Sequence, residues 1–456
     1  MKLLSFTKQT LVLWAVTLGS SIAILDGSIV NLALPAIEKD LQVGFSTLQW
    51  ITDAYLLSLS ALILLGGSLG DIFGRKKVYL VGVVGFASMS LLCAIAPNAE
   101  LLILARALQG VFGALMVPGA LSIINTTFIT TQRGRAIGQW TAWSGIAVVA
   151  APFIAGALLD TGGWRWIFLI NIPLAVICFY LGFIAIKETK DMRRRHIDAI
   201  GAVLVTLALG GITYGLIEGP IQQWSLTVLG VLALALVCGL LFVLRERKTH
   251  DPMVPFSLFA SRDFLGANVM TFLMYGALGG FTFVLSIHLQ TALHYTPFQA
   301  GLSLLPVSIF LLAFSGKVGA LATKYGPRFF LTVGPIIAAV GIALFYFIHP
   351  DSSYITGILP GILLFSVGLT LLVAPLTTTV MLSVEDKASG TASGVNNALS
   401  RAAGLVVIAL LGLFGADQVY PFAIVLCAVL ALLGGIVSFV LIQKQPRPAT
   451  VENARK

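Results

Sequence analysis

The stretch Gly67-Ser-Leu-Gly-Asp-Ile-Phe-Gly-Arg-Lys-Lys77 decides the architecture. It is short, rich in glycine and charge, and lies between two long apolar runs. Only 10% of the chain is charged, so three consecutive cations, Arg75, Lys76 and Lys77, mark a segment outside hydrocarbon. The stretch is too short to hold a domain and reads as a tight connection between two membrane helices. Gly67 and Gly74 permit a sharp turn and close backbone approach. Asp71 is placed to face a helix N-terminus or an arginine. The pattern returns as Gly319-Ala-Leu-Ala-Thr-Lys-Tyr-Gly-Pro-Arg328. Gly67 and Gly319 stand 252 positions apart, as do Gly74 and Gly326. At the same offset Leu69 matches Leu321, Phe73 matches Tyr325 and Lys76 matches Arg328. This is an internal duplication.

Composition agrees. The chain is 58% hydrophobic with a mean hydropathy of +0.97, well beyond the roughly half-apolar make-up of soluble domains. About fourteen runs, from Leu11–Ala33 to Phe422–Ile442, reach the roughly 17–25 residues a spanning helix needs. The expected fold is an all-α integral membrane protein: two six-helix halves, residues 1–190 and 263–456, with two inserted helices and linkers at 191–262. Parallel repeats of this kind place a substrate cavity near the bilayer midplane, between the halves.

The net charge of +9 is distributed by topology, which argues against nucleic acid. Of the 28 Lys and Arg, Lys39 and Arg165 alone fall in loops of one parity. Arg106 and Lys317 are read within spans, and the remainder on the opposite side. This positive-inside pattern expects both termini and the Arg193-Arg-Arg195 loop in the cytoplasm of a cell (inner) membrane, with Lys39 and Glu218 outside. The first run is too long for a signal-peptide core and carries Asp26 and Asn31. Cys93, Cys178, Cys238 and Cys427 lie in apolar spans without paired spacing, so neither a disulfide framework nor a metal site is expected. No phosphate-binding Gly-x-x-x-x-Gly-Lys-Ser/Thr occurs. No cofactor and no enzymatic chemistry are expected, and the driving energy falls to an ion gradient or the substrate's own.

Several residues bear on that. Asp26, deep in the first span, is an expensive ionisable group and a functional candidate; the plainer alternative is a structural carboxyl bonded to Ser28 or a neighbouring helix. Asp53 lies about two turns into the second span, counted from a cap at Ser46 or Thr47. It is either functional or an acid near the outer interface favoured by the helix dipole. Arg106 cannot deprotonate and needs a carboxylate or carbonyl partner; Asp26, Asp53 and backbone carbonyls all qualify. Lys317 is expected to snorkel to the surface, and His288 to be hydrogen-bonded near the outer rim. Tyr275, Phe272, Phe281, Phe283, Trp140 and Trp143 are candidates to line a cavity or to face lipid.

Over nearly its whole length the chain resembles the major facilitator superfamily, in particular its fourteen-helix drug:proton antiporters. Gly67–Lys77 resembles the family's loop between helices 2 and 3, a cytoplasmic gate in which Gly67, Asp71, Gly74, Arg75 and Lys76 take part, and Gly319, Gly326 and Arg328 repeat it. Leu25-Asp-Gly-Ser-Ile-Val-Asn-Leu-Ala-Leu-Pro35 resembles the helix-1 signature of this branch. Arg106-Ala-Leu-Gln-Gly110 resembles the helix-4 motif, whose arginine is implicated in proton coupling. Trp50-Ile-Thr-Asp-Ala-Tyr55 resembles the start of helix 2, where some members use an acidic residue with cationic drugs. The helix-5 antiporter motif departs from its glycine-rich form: Gly145-Ile-Ala-Val-Val-Ala-Ala-Pro-Phe-Ile-Ala-Gly156 keeps Pro152 and Gly156 but carries Ala147, Ala151 and Ala155. The resemblance implies a monomeric, proton-coupled exporter of hydrophobic or cationic small molecules, with Asp26, Asp53 and Arg106 in proton coupling. The alternatives are a specific metabolite or lipid transporter of the same fold, and a membrane sensor or scaffold.

Overall fold

A computed structural model of the chain describes residues 2–190, 197–249, 252–385, 388–414 and 418–443. The Arg193-Arg-Arg195 loop lies outside them. Each long apolar run closes its backbone hydrogen bonds along its own axis, the economical solution where water is absent. Fourteen helices among the described residues are long and apolar enough to cross a membrane. They are α1 Lys2–Leu41, α2 Phe45–Phe73, α3 Arg75–Ala94, α4 Ala99–Thr127, α5 Thr130–Gly162, α6 Trp166–Ala185 and α7 Ala199–Ile221. The rest are α8 Leu226–Lys248, α9 Arg262–Thr291, α10 Pro297–Tyr325, α11 Pro327–Phe347, α12 Tyr354–Leu382, α13 Ser389–Leu413 and α14 Val419–Leu441. An even number of crossings leaves the first and last helix ends on one face, here the terminal face; the other is the distal face.

Several boundaries differ from the sequence reading. α1 runs on through Pro35 and Glu38 to Leu41, because a helix leaving the hydrocarbon no longer needs apolar side chains. α2 begins at Phe45 after an extended Gly44 that supplies no side-chain cap, so Ser46 and Thr47 lie inside the helix. α10 starts at Pro297 with a capping box from Thr296 and Gln299, and is interrupted at Leu304. Pro306 follows and cannot donate a backbone N–H, which favours the break. α8 carries Arg245 to Lys248 in its last turn, and a 3-10 turn, Phe256–Ala260, follows before α9.

The duplicated stretch repeats in three dimensions. Gly74 and Gly326 each separate two helices at positive φ, 117° and 89°, a backbone that disfavours any side chain. Their N–H groups donate to Gly70 O and Ala322 O, closing α2 and α10 alike. Lys76 lies over the Phe183 ring at 5.1 Å and Arg328 over Phe439 at 4.4 Å, each in the last turn of a later helix.

Between the first six helices and the last six, contacts are well defined toward the distal face. Gln49 Nε2 donates to Ile408 O (2.5 Å) and Gln290 Nε2 to Leu32 O (3.0 Å). Phe45 meets Phe283 and Phe153 meets Phe298, with centroids 5.7 and 6.3 Å apart. Near the terminal face the inner half of α10 exposes Ile309, Leu312, Phe314, Leu321 and Tyr325. The inserted α7 touches both groups: Trp50 Nε1 on α2 donates to Glu218 Oε1 (3.0 Å), and Leu216 O borders Gly412 in the last turn of α13.

Candidate functional site

Five of the first six helices converge on one buried polar network. Asp26 on α1 and Arg106 on α4 are each 1% exposed. Arg106 Nη1 donates to Asp26 Oδ2 at 2.5 Å and to Gln109 Oε1 at 2.6 Å, and its Nε to Ile51 O of α2 at 3.2 Å. Asp26 Oδ1 accepts from Gln109 Nε2 (3.0 Å) and Asn171 Nδ2 on α6 (2.9 Å). Ser90 Oγ on α3 accepts from the same two amides. The Tyr55 ring lies under the guanidinium at 4.3 Å, a cation–π contact. The partner of Arg106 is therefore Asp26. Ser28, the local alternative for Asp26, donates instead to Ile24 O.

Gln109, Asn171 and Ser90 were not singled out from sequence. The signals were present: Gln109 is three residues from Arg106 and so on the same helix face, and Asn171 interrupts an otherwise apolar run. Asp53 stands apart from this network. It is fully buried, and among the described residues neither carboxyl oxygen has a hydrogen-bond partner. On α2 it lies between Gln49, bonded to α13, and Leu57, packed on Gly210 of α7. Thr213 of α7, buried with an unpartnered Oγ1, lies between Gly210 and the Trp50 partner Tyr214. Asp53 is thus at a three-helix junction, deeper than an interfacial acid.

The gate stretch is organised around Glu188. Lys76 N and Lys77 N donate to its two oxygens at 3.1 Å each, and Arg75 N to Thr189 O. A carboxylate there satisfies orphan N–H groups and offsets three cations in a first turn, where the helix dipole disfavours them. Asp71 pairs with Arg75 at 2.8 Å. In the second copy Thr323 and Pro327 occupy those positions, so this pair has no counterpart. Gly67 faces Pro118 on α4, and Gly319 faces Ala374 on α12. In the antiporter motif, Pro152 packs on Gly301 and Gly156 on Phe298, tying α5 to α10.

Residues 16–408 match the Major Facilitator Superfamily. The chain belongs to this superfamily. The facilitator is 33% identical over 406 residues to multidrug resistance protein Stp of Mycobacterium tuberculosis, covering 89% of this chain and 75% of that one. It is 33% identical over 448 residues to the methylenomycin A resistance protein of Streptomyces coelicolor (96% and 94%). It is 32% identical over 411 residues to the tetracenomycin C resistance and export protein of Streptomyces glaucescens (89% and 76%). Its fold is shared with a POT family transporter, TM-score 0.72 at 12% identity, over 94% of this chain and 95% of that one.

In this facilitator a third cation lies inside a span, beside Arg106 and Lys317. Arg401 sits midway along α13, inside the span that the sequence reading draws at Gly394–Gly415, although the charge count left it with the loop cations. Asn396, one turn before it, is spent on Asn268 and Thr271 of α9. Lys317 on α10 is exposed and lies 5.7 Å from the Phe314 ring. His288 stacks on Tyr420 at 3.5 Å, where a hydrogen bond had been expected. Phe281 and Phe283 are core, Trp140 donates to Ser20 Oγ, and Trp143 rests on Trp14.

Proposed function

We propose that this facilitator exports hydrophobic and cationic small molecules in exchange for protons, by alternating access. The observation that carries the reading is the Asp26–Arg106 pair, buried within the membrane and cradled by amides from α4 and α6. A proton arriving on Asp26 would set an O–H against the donors now pointing at it, so protonation has to break the Arg106 contact. Freed, the guanidinium would disturb Ile51 and Tyr55 on α2, the helix that meets α13 across the molecule. Asp53, at the α2–α7–α13 junction without a donor, is the second proposed proton carrier. Residues 1–190 and 263–456 are the rocking halves, 191–262 the insertion between them. The contacts toward the distal face fit an outward-closed state. Gly67, Asp71, Gly74, Arg75 and Lys76, with Gly319, Gly326 and Arg328 in the second copy, gate the terminal face, which we place in the cytoplasm of an inner membrane. Pro152 and Gly156 seal the distal side. The protein works as a monomer. The relatives, two antibiotic-resistance proteins and one multidrug-resistance protein by name, support the small-molecule class.

The test is purified protein in proteoliposomes with an imposed pH gradient and ethidium as the first passenger. Uphill, gradient-dependent ethidium movement in wild type and its loss in Asp26→Asn is the expected result. Substrate-induced proton release that is equal in the two proteins would move the carrier role to Asp53. No gradient-driven movement of ethidium or other dyes would overturn the exporter reading.

A further inference from the structure

Arg106 and Arg401 carry the same permanent charge and differ in their surroundings. Arg106 has a carboxylate, an amide, a carbonyl and a ring. Arg401 has no ion pair or hydrogen bond among the described residues, and its buried Nε is unpartnered. Arginine cannot shed its proton, and an unpaired charge at the middle of a span is expensive enough that its presence needs a purpose. Beside Arg401, α13 packs on α2 through Gly404 against Leu56, and on α9 through Ala403 against Gly276 and Gly404 against Gly279. Among the described residues Tyr55 on α2 and Tyr275 on α9 are the phenols near its charge. Tyr55 is shared with Arg106 and is also close to Asp26. Among the described residues neither membrane-embedded carboxylate of the first six helices pairs with Arg401: both Asp26 oxygens are bonded elsewhere, and Asp53 is fully buried on α2. Arg401 itself is only partly buried, so the fork of the guanidinium remains accessible where Nε is not.

We propose that Arg401 is an anion subsite on the translocation path, and that the passengers include ring-bearing small molecules with an ionised acid, a carboxylate or acidic phenol. The acid pairs with the Arg401 fork while the apolar rings lie against the partly exposed Tyr275. The inference rests on the exporter reading and adds a substrate class to it. A planar guanidinium offers two parallel N–H donors to a carboxylate, and in a site poor in water such a pair gains over its exposed equivalent. An ester of the same acid keeps the rings and forfeits the charge.

The experiment uses 9-anthracenecarboxylate and its methyl ester, read by fluorescence on purified full-length protein in nanodiscs, with wild type, Arg401→Lys and Arg401→Gln. Wild type is expected to bind the acid at least about tenfold more tightly than the ester, the ratio expected of one charge-assisted contact. Arg401→Gln brings that ratio to about one, and Arg401→Lys keeps part of it because the charge stays but the fork is lost. Thermal unfolding of each variant checks the fold, and Arg401→Lys serves if the glutamine variant does not fold. Equal binding of acid and ester by wild type overturns the subsite, and so does an acid preference that survives in Arg401→Gln. A wild-type ratio near one, with both ligands weakened together in Arg401→Gln, would also overturn it and assign Arg401 to a protein carboxylate in another conformation. Ethidium transport under a pH gradient reads the exporter function separately. Transport without acid preference removes the subsite alone; acid preference without any transport removes the exporter reading alone.

Discussion

Asp26 takes three donors on its two oxygens, and each comes from a side chain that could be changed singly. Removing Arg106 leaves a buried carboxylate facing amides only, so Arg106→Ala should cost about 3–5 kcal/mol of stability, read as a lowered unfolding midpoint in nanodiscs. Asp26→Asn keeps the shape and one acceptor but leaves the buried Arg106 charge without its counter-ion, so it too should lower the unfolding midpoint. Its signature should be selective: pH-driven uphill transport lost, binding and downhill exchange retained. A proportionate fall in every activity together with expression would instead mark Asp26 as scaffolding. Asn171→Leu withdraws one donor from Asp26 Oδ1 without touching Arg106, and we expect it to displace the pH profile of transport while leaving the maximal rate near wild type. At this scale charge was legible and pairing was not. An acid and an arginine in apolar runs announce themselves by cost. Eighty residues separate Asp26 from Arg106, and no spacing rule bridges them. Asn171 and Ser90 are neutral and cheap enough to pass for core residues. Arg401 fell inside a span drawn from sequence, Gly394–Gly415, but its lack of a partner could not be read there, since pairing depends on which helices lie beside α13.

The proposed gate is a property of helix ends. Glu188 holds the start of α3, and Lys76 Nζ donates to Phe183 O at the end of α6 (2.6 Å), so the two helices are fastened in both directions. A Cβ on Gly74 would come within 2.6 Å of the Glu188 carboxyl, on a backbone already at φ 117°. Gly74→Val should therefore eject Glu188 and slow transport strongly, with membrane insertion intact by protease mapping. Asp71→Asn loses a partly buried pair worth about 1 kcal/mol. Small against folding, that is several-fold in a balanced conformational equilibrium, where 1.4 kcal/mol is a factor of ten; an unchanged rate in well-expressed protein would remove Asp71 from the gate. At the base of the insertion, Asp198 caps α7 through Gly201 N and pairs with Arg245 Nε (2.8 and 2.9 Å). Burial works against this carboxyl's charge, but the Gly201 amide, the Arg245 guanidinium and the neighbouring Glu246 carboxyl, itself pushed up to about 7 by burial and by Asp198, hold it below the usual carboxylate range. Its folded value being depressed, its contribution is full at neutral pH and lost only as pH falls below about 4. Asp198→Asn should thus lower the unfolding midpoint at pH 7 and converge with wild type in acid. The duplicated loop was readable because glycine at positive φ leaves a mark in sequence. Glu188 was not, since it lies more than a hundred residues from the amides it caps.

Across the whole molecule, α5 and α10 meet through Phe153 and Phe298 toward the distal face. A disulfide between Phe153→Cys and Phe298→Cys, in a background lacking Cys93, Cys178, Cys238 and Cys427, should hold that face shut and stop transport until a reductant is added. Unimpaired turnover of the oxidised protein would mean that this contact does not open. The same background serves for topology. Impermeant labelling in intact cells should reach a cysteine at position 39 and not one at position 194; labelling at 194 would invert the proposed orientation. Fourteen spans and two equivalent loops were evident from hydropathy and the 252-residue offset, whereas α7 bridging both groups was not, because nothing in an apolar helix names its neighbours. The lone charge of Arg401 also has an electrical consequence. With one proton entering per cycle, a departing monoanion moves two charges in the same electrical sense, a neutral passenger one, and a monocation none. Each elementary charge is worth about 2.3 kcal/mol per 100 mV. Collapsing the voltage with valinomycin and potassium, at constant pH difference, should then slow export of an acid most, of its ester less, and of ethidium least. The passenger's own charge would set how much of the work is done by the membrane potential.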